Sequence, residues 1–188
     1  EPIRTVQDLR KRKVWIPDND KLSQDAVEAF GVTPIPLPIA DVRTSLQSGL
    51  IDTVATSPVG AIVLQWHTQI KYVTNIPLIY LHAVLAIDKK TFLKITPQDQ
   101  EIVTRIMTHA FNEIGLQNRQ DDGKAIAALK NQGIEFVTPD KTVIEEWRQT
   151  AGIASQKMVE SGTLPKDATD QLNGLLKEFQ AKGSTGDQ

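Results

Sequence analysis

Cysteine is absent from the 188 residues, which excludes disulfide scaffolds, thiolate metal sites and cysteine nucleophiles. Aromatic residues are scarce at 5%, so a core must be built mainly from aliphatic side chains. Neither sign of charge is in excess. A formal net charge of −2 with interspersed signs leaves no electrostatic footprint for nucleic acid or an anionic membrane. No apolar run reaches the roughly 18 residues that a membrane-spanning helix requires. The longest candidate, Ile76 to Ile87, contains Pro77 and His82 and reads as a buried strand. No secretory leader is visible, and the polar start at Glu1 is what a mature or truncated product carries.

Signatures of catalysis are missing as well. The chain holds no G-x-S-x-G, P-loop or G-x-G-x-x-G, and no nucleophile with an evident base. His67, His82 and His109 fall on separate elements with no carboxylate at ligand spacing, so no metal and no cofactor is expected. Glu145 and Glu146 are adjacent, point in different directions on a helix, and read as a solvated face. An enzyme is not expected.

What is present is a 40% hydrophobic content, enough for a real core in one large domain or two small ones. Thr5 to Arg10 reads as a short helix capped by Thr5 with Asp8 three residues on. A strand at Val14 to Ile16 is closed by Pro17. A helix over residues 21–30 turns Leu22, Ala26, Val27 and Phe30 inward and ends at Gly31. Thr33 to Leu37 is strand-like, but Pro34 and Pro36 each remove a ladder donor and favour an edge.

Residues 38–52, PIADVRTSLQSGLID, are the most informative stretch. Pro38 presets the backbone, Val42, Leu46 and Leu50 make one apolar stripe, and Gly49 sits where a left-handed cap is wanted. Ile51 to Ala55 then switches to strand-type residues. Ser57 followed by Pro58 reads as a helix start, with Val59, Ile62, Val63, Trp66 and Ile70 on one face. From Thr96 a helical spacing runs through Ile102, Val103, Ile106, Met107, Ala110, Phe111 and Ile114. It weakens at 121–123 and resumes to Gly133. If unbroken, that helix spans about 50 Å at ~1.5 Å per residue. A strand over 134–137 and helices over 140–161 and 165–181 follow, and residues 183–188 read as a disordered tail. The order of elements predicts an α/β fold with a helical C-terminal part packed on the sheet.

The same segments resemble the extracytoplasmic solute-binding proteins of TRAP transporters. TVQDLRKRKVWIP is similar to that family's lead-in helix and basic strand. VTPIPLPIADVRTSLQSGLID is similar to its strand, turn and signature helix. AIDKKTFLKITPQDQEIV and LKNQGIEFVTP resemble its turn, long helix and following strand. The resemblance covers the C-terminal part of the family's length. It implies residues 1–182 of a two-lobe receptor lacking most of the first lobe, with an α/β part over about 1–90 and a helical part over about 96–182. The implied fold is a periplasmic-binding-protein-like (type II-like) lobe, with a mixed sheet flanked by helices and a long bracing helix.

The resemblance also implies a site. Family members place an arginine before the first proline, where it forks onto a ligand carboxylate; the matching residue here is Trp15. Arg12 and Lys13 are near in sequence, and strand alternation puts Lys13 on the face of Trp15. The polar residue after the signature strand falls at Thr56 or Ser57. The expected ligand-binding residues are therefore Trp15, Ile39, Thr56, Ser57, Trp66 and His82. Four have a plainer alternative: core packing for Trp15, Trp66 and His82, and a helix cap for Ser57. Trp147, one turn from Val143 and Ile144, reads as packing. The implied function is a periplasmic receptor that closes on a small organic ligand, less charged than is usual, and delivers it to TRAP permease subunits. The alternative is an interaction module, a homodimer formed through surface that the missing lobe leaves bare.

Overall fold

The computed structural model describes residues 1–76, 78 and 84–183. Helix α1 (Val6–Leu9) is closed by a full capping box: the Thr5 hydroxyl accepts from the Asp8 N–H, and the Asp8 carboxylate accepts from the Thr5 N–H. Strand β1 (Trp15–Pro17) leads into α2 (Lys21–Ala29), whose exit uses Gly31 at φ 79°. Strand β2 (Ile35–Leu37) lies parallel to β1 in the register Trp15↔Ile35, Ile16↔Pro36, Pro17↔Leu37. It pairs on one side only, as its prolines require.

A 3₁₀ turn at Ile39–Asp41 opens α3 (Val42–Ser48), and Gly49 ends it at φ 73° in the left-handed region. Val42 is sealed in the core, while Leu50, beyond the cap, is exposed rather than continuing the stripe. The strand expected at Ile51 to Ala55 contracts to one parallel bridge, Val14↔Thr53, with the Trp15 N–H donating to the Thr53 carbonyl at 2.9 Å. Because the Val14 carbonyl accepts from Ile35 on the opposite edge at 2.8 Å, β1 is the middle of three parallel segments.

Helix α4 (Pro58–Val63) starts on a Ser57 cap and stops short of the expected Ile70. Gln65 takes φ 58°, a left-handed residue that breaks the helix, and Trp66–Thr68 continues as a 3₁₀ turn. Trp66 is buried, as its place on the apolar face predicts, while Val63 of the same face is exposed. Strand β3 (Tyr72–Thr74) follows. The long strand expected over Ile76 to Ile87 is not formed at 76, 78 or 84–87, where the chain is irregular. The rest of that stretch, with His82, lies outside the described residues, as do the last five residues of the expected disordered tail.

After α5 (Lys89–Phe92), helix α6 (Pro97–Asn131) runs unbroken for 35 residues from its Thr96 cap. At ~1.5 Å per residue this is about 52 Å. Strand β4 (Glu135–Val137) pairs parallel with β3, Tyr72↔Glu135 to Thr74↔Val137. Helices α7 (Lys141–Glu160) and α8 (Lys166–Gly183) complete the chain. The expected α/β lobe with its long helix is present. The expected mixed sheet is not, since every strand pair among the described residues is parallel and the strands form two small sheets. No helix among them is long and apolar enough to cross a membrane.

Two apolar centres hold the molecule. The first is Trp15, Val42, Ile51 and Trp66, with Ile35, Leu37, Leu46, Val54 and Leu64 around them. The second joins α2 to α7, where Phe30 and Trp147 meet at 5.8 Å between ring centroids. Leu22, expected to face inward on α2, is exposed. Helix α4 packs on α6, with Ala61, Ala125 and Leu129 buried.

Candidate functional site

Parallel strands deliver successive turns to one edge, and open α/β sheets bind ligands in the crevice outside their carboxyl ends. Here β2 ends at Leu37 and hands over to Pro38 and Ile39. Strand β1 ends at Pro17 and hands over to Asp18 and Asn19. The bridged segment passes Thr53 and reaches Thr56 and Ser57, level with Pro17 in the parallel register. Three turns therefore converge on one edge. Ile39 is exposed, Thr56 is exposed and Ser57 is half-buried.

The local chemistry of each turn follows from its sequence. Pro38 fixes the extended backbone that begins the 3₁₀ turn under Ile39. Asn19 takes φ 58°, a left-handed conformation that asparagine tolerates better than most residues. Asp20 caps α2, accepting from the Ser23 hydroxyl and the Ser23 N–H, and these donors hold its carboxyl below the ordinary carboxylate range. Ser57 Oγ accepts from the Gly60 N–H at 3.0 Å, so its cap role is filled. Thr56 Oγ1 has no protein hydrogen-bond partner among the described residues and keeps both its donor and its acceptor.

The two tryptophans lie beneath this edge. Trp15 and Trp66 meet edge-on, with centroids 5.2 Å apart and planes at 75°, a geometry favoured by the ring quadrupoles. Trp15 is 7% exposed and Trp66 2%. The Trp15 indole N–H donates to the Leu37 carbonyl at 2.9 Å, so it is not free for a ligand. Both rings therefore occupy the core that supports the three turns, which is the plainer of the two expected roles. The physical reason is area: an indole with its only donor satisfied is better buried than left at a wet edge.

The cations near Trp15 in sequence do not reach this edge. Lys13 Nζ donates to the Gly49 carbonyl at 2.8 Å, and Arg12 pairs with Glu1 at 3.2 Å, both before the start of β1. Sequence reasoning missed Arg43, one turn after Ile39, whose guanidinium donates to the Gln65 carboxamide at 2.8 Å. Its position four residues beyond Ile39 was the available signal. Asp18 and Asn19 were missed too, although a Pro-Asp-Asn run after a strand marks a turn at its carboxyl end. No group of three or more metal-ligating side chains occurs among the described residues.

The family model described as bacterial extracellular solute-binding protein, family 7, matches residues 1–161. The 2,3-diketo-L-gulonate-binding periplasmic protein YiaO of Escherichia coli K12 is 27% identical over 141 residues, covering 73% of this chain and 42% of that protein. Among solved structures, a TRAP periplasmic solute binding protein from Sulfitobacter sp. NAS-14.1 with bound β-D-galacturonate superimposes at a TM-score of 0.77. It shares 21% identity and covers 92% of this chain and 55% of that one. A TRAP periplasmic solute binding protein from Fusobacterium nucleatum with bound sn-glycerol-3-phosphate gives a TM-score of 0.75 at 19% identity, covering 96% and 57%. These structural likenesses establish the fold. The chain spans about half the length of the proteins it matches.

Proposed function

Given that this chain belongs to the bacterial extracellular solute-binding proteins of family 7, a family of receptors, we propose that it forms one wall of a periplasmic receptor for a small organic acid. The observation that carries this reading is the convergence of Ile39, Thr56 and Ser57 on the carboxyl edge of three parallel segments, within the stretch the family model matches. The chain acts by binding and not by turnover. Ile39 supplies apolar contact and Thr56 a free hydroxyl, while Ser57 holds the first turn of α4 in place. Trp15 and Trp66 keep the wall rigid from behind.

The wall carries hydroxyls and apolar surface, with Arg43 one turn beyond Ile39 as a cation. This supports a ligand with many hydroxyls and a single charge, such as a sugar acid, over a multiply charged one. Closure follows the usual thermodynamics: a ligand stabilises the closed form only as far as it contacts that form better. The closed form is then the one a TRAP permease recognises. The exposed apolar side of α6 suits coverage by the rest of a relative's length, which also makes α6 a brace between two lobes. A homodimer through the same side is the competing use of that surface.

Calorimetric titration with D-galacturonate, 2,3-diketo-L-gulonate and sn-glycerol 3-phosphate tests the reading. The expected result is binding of a sugar acid in preference to the phosphate, weakened about tenfold in Thr56→Ala. Absence of binding to all three, with the chain folded and dimeric by sedimentation, overturns it in favour of the interaction module.

A further inference from the structure

Gly60 lies inside the first turns of α4, and its backbone is not in the left-handed region. Conformational freedom therefore does not explain it, and a glycine within a helix costs about 1 kcal/mol relative to alanine. The surroundings do explain it. A Cβ built on Gly60 meets Thr56 Oγ1 at 2.5 Å and Ser57 Oγ at 3.2 Å, while Thr56 Cβ stands off at 3.8 Å. The first distance is far inside contact, and the last is ordinary contact. The severe conflict is thus with the Thr56 hydroxyl, with a lesser one at Ser57 Oγ, and not with the backbone that carries them. A threonine side chain relieves such a conflict by moving to another staggered χ1 well, which redirects the hydroxyl by about 120°.

We infer that Gly60 is a positioning residue for the ligand wall: its missing side chain lets the Thr56 hydroxyl lie over the first turn of α4, and that direction decides which solutes the wall accepts. This rests on the receptor reading above. Thr56 Oγ1 has no protein partner among the described residues, so none of them fixes its direction once the space over Gly60 is filled. Ser57 is held by its own bond to the Gly60 N–H at 3.0 Å, so a 3.2 Å approach is absorbed by a small shift. The ligand class that senses the change is one that exchanges a hydrogen bond with Thr56, namely a hydroxylated sugar acid.

The test uses Gly60→Ala, Thr56→Ala and the double variant, with D-galacturonate as the probe. Three readouts are taken: affinity by titration calorimetry, the Thr56 χ1 well by NMR three-bond couplings, and the thermal midpoint. Gly60→Ala is expected to turn Thr56 and weaken binding by about tenfold, the worth of one net hydrogen bond, without lowering the midpoint. In the Thr56→Ala background the same change is expected to cost no further affinity. Two results overturn the inference alone: wild-type affinity in Gly60→Ala, or an equal loss with and without the Thr56 hydroxyl. A wild-type chain that binds no probe overturns the receptor reading, and the inference falls with it.

Discussion

The two halves of α6 carry the same amphipathic spacing and meet different fates. Toward its C-terminal end Ala125 is 5% exposed and Leu129 1%, packed where α4 crosses. Toward its N-terminal end Ile102, Ile106, Phe111 and Ile114 are 37%, 56%, 38% and 51% exposed. They stand beside a groove of about 660 Å³ lined by Val84, Leu85, Ile87, Phe92, Val103, Met107 and Phe111, among others. Periodicity therefore reports which face of a helix seeks burial and says nothing about what arrives to bury it. One half found its partner within the chain, and the other presents its stripe to solvent.

The sharpest way to break this contrast is to truncate one residue from each half. Leu129→Ala is expected to lower the unfolding free energy by about 2–5 kcal/mol, the range for a leucine removed from a closed core. Ile106→Ala is expected to change it by less than about 0.5 kcal/mol. Urea unfolding followed by circular dichroism reads both, and comparable losses would mean that the exposed stripe is packed in solution. The helices also begin in two different ways, on hydroxyl caps and on carboxylate caps. Thr96→Ala removes the hydroxyl that accepts from the Asp99 N–H and is expected to cost about 1 kcal/mol. Hydrogen exchange should place that loss in the first turns of α6, leaving protection around Leu129 unchanged.

Acid separates the two kinds of start more gently. Helices α1, α2 and α7 depend on Asp8, Asp20 and Asp140. The carboxyls of Asp8 and Asp140 are held below their ordinary values by the Thr5 N–H and by the Thr142 hydroxyl, as that of Asp20 is by the Ser23 hydroxyl. A depressed carboxyl contributes stability that is complete above its unfolded-state value, near 3.9, and is lost as pH falls through its lower folded value. Loosening of the α2–α7 pair is therefore expected below about pH 4, visible in the emission of Trp147 against Phe30. The Thr96 and Ser57 hydroxyl caps of α6 and α4 do not titrate there. The smallest effect expected is for Ile106→Glu, within about 0.5 kcal/mol of the wild type. A large gain in solubility from it would mark the stripe as the site of self-association.

How much of this was legible depended on whether the signal was local. The α1 capping box, the left-handed Gly49, the one-sided β2 with its prolines and the start of α6 all follow from residues a few positions apart. The continuity of α6 through 121–123, where the apolar spacing weakens, stays open on sequence alone. The break at Gln65 does not follow either, because nothing in glutamine advertises a left-handed backbone. Burial of Trp66 was readable from its apolar face, but the pairing of Trp15 with Trp66 across the intervening chain is tertiary. Resemblance alone put Trp15 at a ligand wall; packing put its indole behind that wall, with its N–H on Leu37. In the candidate site, the turns holding Ile39, Thr56 and Ser57 were readable, since strand ends and helix starts locate them. The crowding over Gly60 was not, because it depends on where a neighbouring rotamer points. The Ile51 to Ala55 stretch has strand composition yet finds one bridge only, with Thr53 reaching Val14.

The pairing of Tyr72–Thr74 with Glu135–Val137 has a consequence for the chain as it is made. Roughly 60 residues separate the two strands. At about 5–20 residues per second, β3 leaves the ribosome some 3–12 s before β4, its partner among the described residues, exists. For that interval its backbone donors and acceptors are an open template for any passing strand. Vectorial synthesis thus leaves β3 in need of a chaperone, and slowing translation between the codons for Asn75 and Glu135 should lower soluble yield.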